Sequence, residues 1–156
     1  MFKRILFATD LDEASTEAMR AAVSLARDEG SELHIVHVLL DPMTQPWGAD
    51  AYGINIPNLL AEMRRDASRA LDAVVAEAKT TVANVRGEVL VGSPAAEIVR
   101  YATAESMDLI IVGTHGRGVV PRAFLGSVAD RVIREAPCPV LTVRHKAASR
   151  GARTAA

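Results

Sequence analysis

Short apolar stretches alternate with longer amphipathic stretches along the chain, and this alternation constrains the fold more than any other feature of the sequence. The apolar stretches are rich in β-branched residues, which is typical of buried strands, whereas the longer ones repeat apolar residues at spacings of three and four. Strict alternation predicts a doubly wound, Rossmann-like α/β fold with a five-stranded parallel sheet and helices on both faces. The predicted strands are 3–9, 32–40, 86–91, 109–112 and 139–144. The predicted helices are 12–29, 58–81, 94–105 with Ser93 as its N-cap, and one that begins just after Ser127.

Right-handed connections give this sheet the predicted strand order 3-2-1-4-5, in which the direction of winding changes between strands one and four. Ligands of doubly wound sheets bind beyond the carboxyl ends of the strands at that point. The segments that meet there are Thr9-Asp10, after strand one, and the loop that begins at Gly113, after strand four. The sequence therefore predicts a ligand site built from segments that are far apart in the chain.

The loop after strand four has the composition of an anion-binding segment. Gly113, Gly116 and Gly126 allow a close approach of the backbone to phosphate. Ser127 is predicted as the N-cap of helix four, with Asp130 three residues later as a short form of the capping-box acid. A helix N-terminus contributes only about 0.3–1 kcal/mol per anion, whereas micromolar affinity requires about 8 kcal/mol. A bound nucleotide would therefore also need a pocket for its base and sugar.

The same segment resembles the phosphate loop of the universal stress protein family in its nucleotide-binding form. The family writes this loop as G-x2-G-x9-G-S/T, and Gly113, Gly116, Gly126 and Ser127 match it in spacing and residue type. The segments ILFATDLDEAS, LHIVHV, VLVGSPAAEIV and APCPVLTV are also similar to the family, so the resemblance covers residues 2–145. It implies an ATP-binding regulatory or stress-response protein.

The resemblance also implies roles for individual residues. Asp10 and Val38 match positions that hold the adenosine part of the nucleotide, and the loop glycines with Ser127 match those that hold ribose and phosphates. In the family the last strand pairs with its copy in a second subunit, so a homodimer through residues 139–144 is predicted. The candidate nucleotide-binding set adds neighbouring strand-end and loop residues and comprises Ala8, Thr9, Asp10, Val38, Gly113, Gly116, Arg117, Gly126, Ser127 and Val128.

Three other functions stay open at the level of the sequence. An ATP hydrolase or nucleotidyl transferase can use the same fold, but the chain has no Walker motif G-x4-G-K-S/T and no carboxylate cluster that indicates two metals. Asp10 or Asp12 can hold one Mg2+ through water, so ATP is expected with or without magnesium and with weak hydrolysis at most. A phosphorylated receiver domain is disfavoured because strand three ends in LVGS, without an acceptor aspartate. A dimeric interaction module with an unused pocket is the third.

Composition narrows the class of protein further. The net charge of −1 gives no argument for nucleic acid or a membrane surface, and neither a signal peptide nor a membrane-spanning stretch is visible. Because the single Cys138 cannot form an internal disulfide, we expect a cytoplasmic protein. His34 and His37 are interpreted as core or edge histidines rather than ligands. The 156 residues fit one domain at 1–145, with a long lid or rim loop at 41–57 and a disordered basic tail at 146–156.

Overall fold

A computed structural model describes residues 1–44, 53, 55–114 and 125–144. Strands and helices alternate in these ranges as the sequence predicts. The strands are β1 (Arg4–Ala8), β2 (Glu32–Leu39), β3 (Val85–Val91), β4 (Leu109–Gly113) and β5 (Val140–Val143). The α-helices are α1 (Thr16–Glu29), α2 (Ile56–Lys79), α3 (Pro94–Ala104) and α4 (Ser127–Glu135), with short 3-10 turns at Glu13–Ser15 and Pro42–Thr44.

The strands form one five-stranded sheet in the order β3-β2-β1-β4-β5, and every pair of neighbours is parallel. The central strand β1 aligns Ala8 with Val36 of β2 on one side and with Val112 of β4 on the other. The predicted doubly wound fold and the predicted strand order are therefore confirmed. The structure also leaves β3 and β5 as the two edge strands of the described sheet.

Side chains of successive strand residues point to opposite faces and give the sheet two separate cores. Ile5 and Phe7 of β1 belong to the core under α1 and α2, whereas Leu6 belongs to the core under α3 and α4. Helix α1 packs on the sheet through a stripe of small residues, of which Ala18 and Ala22 are 1% and 0% exposed. Small side chains on this face allow the helix axis to lie close to the strands.

Several helix starts differ from the prediction. Asp12 begins only a 3-10 turn, which its side chain caps by accepting a hydrogen bond from the Ser15 amide at 3.2 Å, and α1 itself begins at Thr16. Helix α2 begins at Ile56, two residues before the predicted start, because the Asn55 side chain caps it and Pro57 is tolerated in the first turn. The remaining strand and helix bounds shift by a residue or two, as is usual at element ends.

Two predicted caps are corrected. The N-cap of α4 is Gly126, with φ −61° and ψ 147°, and Ser127 is the first helical residue, so its hydroxyl does not occupy the cap position. Asp130 does not return to the cap either, because its carboxylate pairs with Arg134 one turn further along, at 3.0 Å. Ser93 stands at the predicted N-cap of α3, but its side chain makes no cap hydrogen bond.

Candidate functional site

The direction of winding changes between β1 and β4. After β1 the chain continues into α1 on one face of the sheet, whereas after β4 it continues into α4 on the other face. Where two neighbouring strands continue to opposite faces of a doubly wound sheet, a crevice forms beyond their carboxyl ends. Thr9 and Asp10 border this crevice from β1, and Gly113 and Thr114 border it from β4.

Thr9 is held firmly at the end of β1. Its amide donates to the Val36 carbonyl oxygen at 3.0 Å, and its hydroxyl donates to the Ser15 hydroxyl and accepts from the Leu11 amide, both at 3.0 Å. Its carbonyl oxygen lies 2.8 Å from Nδ1 of His37. All polar groups of Thr9 therefore have protein partners, and its contribution to a site is the shape of the turn that follows.

The Asp10 carboxyl group is placed where ionisation is unfavourable. Partial burial, and then the hydrogen bond and negative charge of Asp12, raise the pKa of Asp10 above its ordinary value of 3.8. The two acids are brought together by Leu11, a non-glycine residue with φ 62°, and the Asp12 amide donates to Oδ1 of Asp10 at 3.4 Å. A carboxylate held at a cost to its charged form is more typical of a functional position than of a stabilising one.

Ala8 and Val38 form an apolar surface next to Asp10. Both are partly buried and pack against the core under α3 and α4, so they lie on the same face of neighbouring strands. Because Ala8 aligns with Val36, Val38 stands two residues nearer the carboxyl edge, at the level of Asp10. This surface can contact the flat apolar face of a ring while Asp10 offers acceptor oxygens.

The two ends of the glycine loop are joined by backbone hydrogen bonds. The Gly126 amide donates to the Thr114 carbonyl oxygen at 2.8 Å, and the Thr114 amide donates to the Val143 carbonyl oxygen at 3.0 Å. The start of α4 is therefore held against the carboxyl end of β4, beside Gly113. Ser127 is exposed and Val128 is 37% exposed, so the first turn of the helix lies at the surface.

No side chain caps α4, because its N-cap is a glycine. The Asp130 amide donates to the Gly126 carbonyl oxygen at 2.9 Å, which closes the first helical turn. Amides of the residues before it have no acceptor within a helix. With no capping side chain in competition, they are available to an anion, and the helix dipole favours negative charge there.

The structure brings together Ala8, Thr9, Asp10, Val38, Gly113 and the Gly126–Val128 segment at one edge of the sheet. Gly116 and Arg117, the other two candidates, lie outside the described residues, as do most of the predicted lid or rim loop and the predicted tail. Among the parts of the chain that are described, a cavity of about 190 Å³ opens between α1 and α2. It lies on the opposite face, and of the candidate residues only Thr9 lines it.

The two histidines of β2 have different surroundings. His34 is 1% exposed and its Nδ1 lies 3.0 Å from the Tyr101 hydroxyl oxygen, which fits the predicted core role. Its Nε2 lies 3.1 Å from Oε1 of Glu32 but without hydrogen-bond geometry. His37 instead contacts the Thr9 carbonyl group at the candidate site, and its side chain carries no sequence signal that distinguishes it from a core residue.

Within the described ranges, no group of three or more His, Cys, Asp and Glu residues is arranged to hold a metal ion. None of the helices seen in those same ranges is long and apolar enough to cross a membrane. Cys138 is partly buried, and burial followed by the nearby charge of Asp108 raises the pKa of its thiol, so the thiolate is disfavoured.

Comparison with known proteins gives a consistent result. The model of the universal stress protein family matches residues 1–144. A universal stress protein of Thermus aquaticus is 36% identical over 149 residues, which cover 92% of this chain and 100% of the relative. Universal stress protein MJ0531 of Methanocaldococcus jannaschii is 35% identical over 146 residues, covering 92% of this chain and 83% of the relative.

Solved structures have the same fold. Universal stress protein UspA from Lactobacillus plantarum superposes with a TM-score of 0.78 at 28% identity, over 91% of this chain and 97% of that one. A universal stress protein from Archaeoglobus fulgidus, solved in complex with dAMP, superposes with a TM-score of 0.63 at 24% identity, over 90% and 96% of the two chains. A universal stress protein solved in complex with cAMP superposes with a TM-score of 0.60 at 23% identity, over 93% of this chain and 98% of that one.

Proposed function

The chain belongs to the universal stress protein family, and we propose that it is a regulatory, stress-response protein that binds an adenine nucleotide, ATP above all, between β1 and β4. One observation carries the proposal. The hydrogen bond from the Gly126 amide to the Thr114 carbonyl oxygen holds the uncapped start of α4 at the end of β4, next to the strand that leads to Asp10. An anion site and a base pocket then belong to one crevice.

The phosphates bind at the glycine loop in this proposal. Gly113, Gly116, Gly126 and Ser127 surround them, with amides of the first turn of α4, Ser127 and Val128 included, as donors. Arg117 supplies a positive charge to the same phosphates. Mg2+ arrives with the nucleotide, because a metal bound through phosphates needs only one or two carboxylates from the protein. Asp10 or Asp12 contacts this Mg2+ through a bound water molecule.

The adenosine part binds beside β1 and β2. Ala8 and Val38 support the ring on the face shared with α3 and α4, and Asp10 accepts hydrogen bonds from the nucleoside. The relatives solved with dAMP and cAMP are only 24% and 23% identical to this chain, so their similarity supports the fold and not the ligand. The choice of an adenine nucleotide for this chain is supported by the apolar surface of Ala8 and Val38 and by the phosphate motif.

We propose binding rather than turnover as the function. The sequence contains no Walker lysine at the glycine loop, and this lysine is the group that carries positive charge to the transferred phosphate in P-loop enzymes. A nucleotide held by backbone amides and one loop arginine is bound without a dedicated group for hydrolysis. In this proposal the protein acts as a regulator whose state depends on whether nucleotide is bound. It works in the cytoplasm, where Cys138 stays reduced.

Calorimetric titration with Mg-ATP tests the nucleotide proposal. We expect micromolar affinity for the wild type, equivalent to about 8 kcal/mol. The double variant Gly116→Val, Gly126→Val should weaken binding at least about 100-fold, because its side chains fill the space that the phosphates need. Gly118→Val is the matched control, since it adds the same side chain at a loop glycine outside the motif. The proposal fails if the wild type does not bind ATP, or if both variants weaken binding equally.

We also propose a homodimer through residues 139–144. Strand β5 is an edge of the sheet, and its Leu141 is 40% exposed while Val140 and Val143 are partly exposed. An apolar edge strand is prone to pair with another strand, and a second copy of β5 covers it. Sedimentation at micromolar concentration should show a dimer for the wild type and a monomer for Leu141→Lys. A monomeric wild type would contradict this part of the proposal.

A further inference from the structure

The turn that joins β1 to α1 carries Asp10, and it is tied mainly by its own residues. The Thr9 hydroxyl donates to the Ser15 hydroxyl, which in turn donates to the Asp12 carbonyl oxygen at 2.7 Å. The Asp12 carboxylate accepts from the Ser15 amide. These bonds fix the shape of the turn, but they do not fix how the turn sits on the sheet.

One side chain of a neighbouring strand reaches this turn. Nδ1 of His37, in β2, lies 2.8 Å from the Thr9 carbonyl oxygen, and the ring is 9% exposed. The paired register of β1 and β2 ends at Ala8 and Val36, and Thr9 is then connected to β2 by two bonds: its amide donates to the Val36 carbonyl oxygen at 3.0 Å, and its own carbonyl oxygen accepts from His37. His37 therefore holds the chain at the position where the backbone leaves the sheet.

The direction of this hydrogen bond follows from its partners. A carbonyl oxygen only accepts, so Nδ1 of His37 must carry the hydrogen atom. The neutral ring is then the Nδ1–H tautomer, with its lone pair on Nε2, and the protonated ring keeps the same Nδ1 donor. The bond to Thr9 is therefore present in both protonation states.

This contact restrains the backbone directly before Asp10. The Thr9 carbonyl group belongs to the peptide unit that joins Thr9 to Asp10, so a hydrogen bond to its oxygen fixes the plane from which Asp10 starts. The next residue, Leu11, has φ 62°, a conformation that non-glycine residues adopt only where the surroundings impose it. A peptide plane that is held on one side of Asp10 and a constrained residue on the other leave the backbone of Asp10 little freedom, and this backbone sets the point from which the carboxyl group extends.

We propose that His37 is a positioning residue of the candidate site: its Nδ1–H fixes the Thr9–Asp10 peptide and thereby places the Asp10 carboxylate for the nucleoside. This inference rests on the proposed nucleotide function. It assigns two roles to consecutive residues of β2, because Val38 supports the site from one face of the sheet while His37 holds the turn from the other. His37 itself does not touch the ligand.

Two substitutions separate this role from simple core packing. The amide nitrogen of an asparagine side chain stands where Nδ1 of a histidine stands, whereas that of glutamine stands at the place of Nε2. His37→Asn therefore retains a donor for the Thr9 carbonyl oxygen and His37→Gln displaces it, although glutamine keeps more of the side-chain volume. A packing role predicts that Gln is tolerated better, and a positioning role predicts the reverse.

The experiment measures both variants in two ways. In calorimetric titration with Mg-ATP, His37→Gln should bind about 3- to 10-fold more weakly than the wild type, the equivalent of one lost hydrogen bond, and His37→Asn within about 2-fold. In the nucleotide-free protein, amide hydrogen exchange of Leu11 and Asp12 measured by NMR should accelerate in His37→Gln and stay near the wild-type rate in His37→Asn.

The exchange measurement distinguishes the failure of this inference from the failure of the proposed function. If the wild type does not bind ATP, the nucleotide proposal fails, while the exchange rates still decide whether His37 orders the turn. Equal exchange rates in the two variants, or faster exchange in His37→Asn than in His37→Gln, would overturn the inference. So would equal loss of affinity in both variants with unchanged exchange, because affinity would then depend on the imidazole ring itself.

Discussion

Gly87 of β3 lies directly beneath α2, and its replacement by alanine tests the packing of this helix on the edge strand. A Cβ atom added at Gly87 would stand 2.6 Å from Cγ2 of Val75 and 3.3 Å from Cγ of Leu71. The first distance is far below a van der Waals contact of about 3.5–4 Å between carbon atoms. Valine in a helix has essentially one χ1 rotamer, so its methyl group cannot rotate away. The helix must move instead.

The expected loss of stability follows from two opposing terms. Gly87 is itself exposed, but the buried Val75 above it cannot move aside, and overpacking of this kind costs about 1–3 kcal/mol. Replacing glycine with alanine recovers about 0.4–1 kcal/mol through the unfolded chain. Gly87→Ala should therefore lower the free energy of unfolding by about 1–2 kcal/mol. For a chain of this size, that corresponds to a fall in melting temperature of about 2–8 °C. Urea unfolding and thermal melts followed by circular dichroism measure both quantities.

A double-mutant cycle with Val75→Ala identifies the cause. Removing the Val75 methyl groups makes space for the new Cβ, so the double variant should be more stable than the sum of the single effects by at least about 1 kcal/mol. Gly30→Ala is the control for the cycle. Nothing lies within 4 Å of its added Cβ, so any cost comes from placing alanine at φ 68° and should be additive with Val75→Ala. Additive effects of Gly87→Ala and Val75→Ala, or a Gly87→Ala variant as stable as the wild type, would refute the reasoning.

Three further predictions concern polar groups. The raised pKa of Asp10 means that the fold disfavours its charged form, so Asp10→Asn should raise the melting temperature at pH 7 and weaken ATP binding. Below about pH 3.8 the aspartate is protonated in both the folded and the unfolded state, and the gain in melting temperature should vanish. A lower melting temperature at pH 7 would contradict this. Tyr101→Phe removes the hydroxyl partner of buried His34 and should cost about 1–3 kcal/mol in urea unfolding, and a cost near zero would show that the bond is dispensable. Oδ2 of Asp108 accepts from two backbone amides, at 2.8 and 2.9 Å, and these bonds lower its pKa. Asp108→Ala should therefore destabilise the protein most at neutral pH, and the difference should fade as the pH falls through the lowered pKa of that group; a pH-independent loss would exclude the electrostatic cause.

The sequence predicted element order more reliably than element ends. Alternating patterns depend on which face of each element is buried, and these patterns were sufficient for the strands, the α-helices and the strand order of the described residues. The start of α4 was misplaced by one residue because serine is the usual N-cap, while Gly126 can take the same extended conformation without a capping side chain. The Gly126 amide also donates to the Thr114 carbonyl oxygen, a contact between two loop ends that the local sequence pattern does not record.

The candidate site divides in the same way. A glycine loop of defined spacing and an acid after the first strand are visible in the sequence, since each is a local requirement of phosphate approach or of a strand end. The role of His37 is not visible, because its partner is a backbone carbonyl group 28 residues away and no side-chain pattern records such a contact.

The sequence by itself determined the α/β class and the winding of the sheet, because periodicity and right-handed connections leave few alternatives, and from the winding it predicted a crevice between β1 and β4. Only the tertiary structure decided which groups face that crevice and in what state. It raised the pKa of Asp10 by burying it beside Asp12, joined the ends of the glycine loop through Thr114, and placed His37 against the Thr9 carbonyl group. These properties depend on distances between segments that are remote in the chain, and such distances exist only after the sheet has formed.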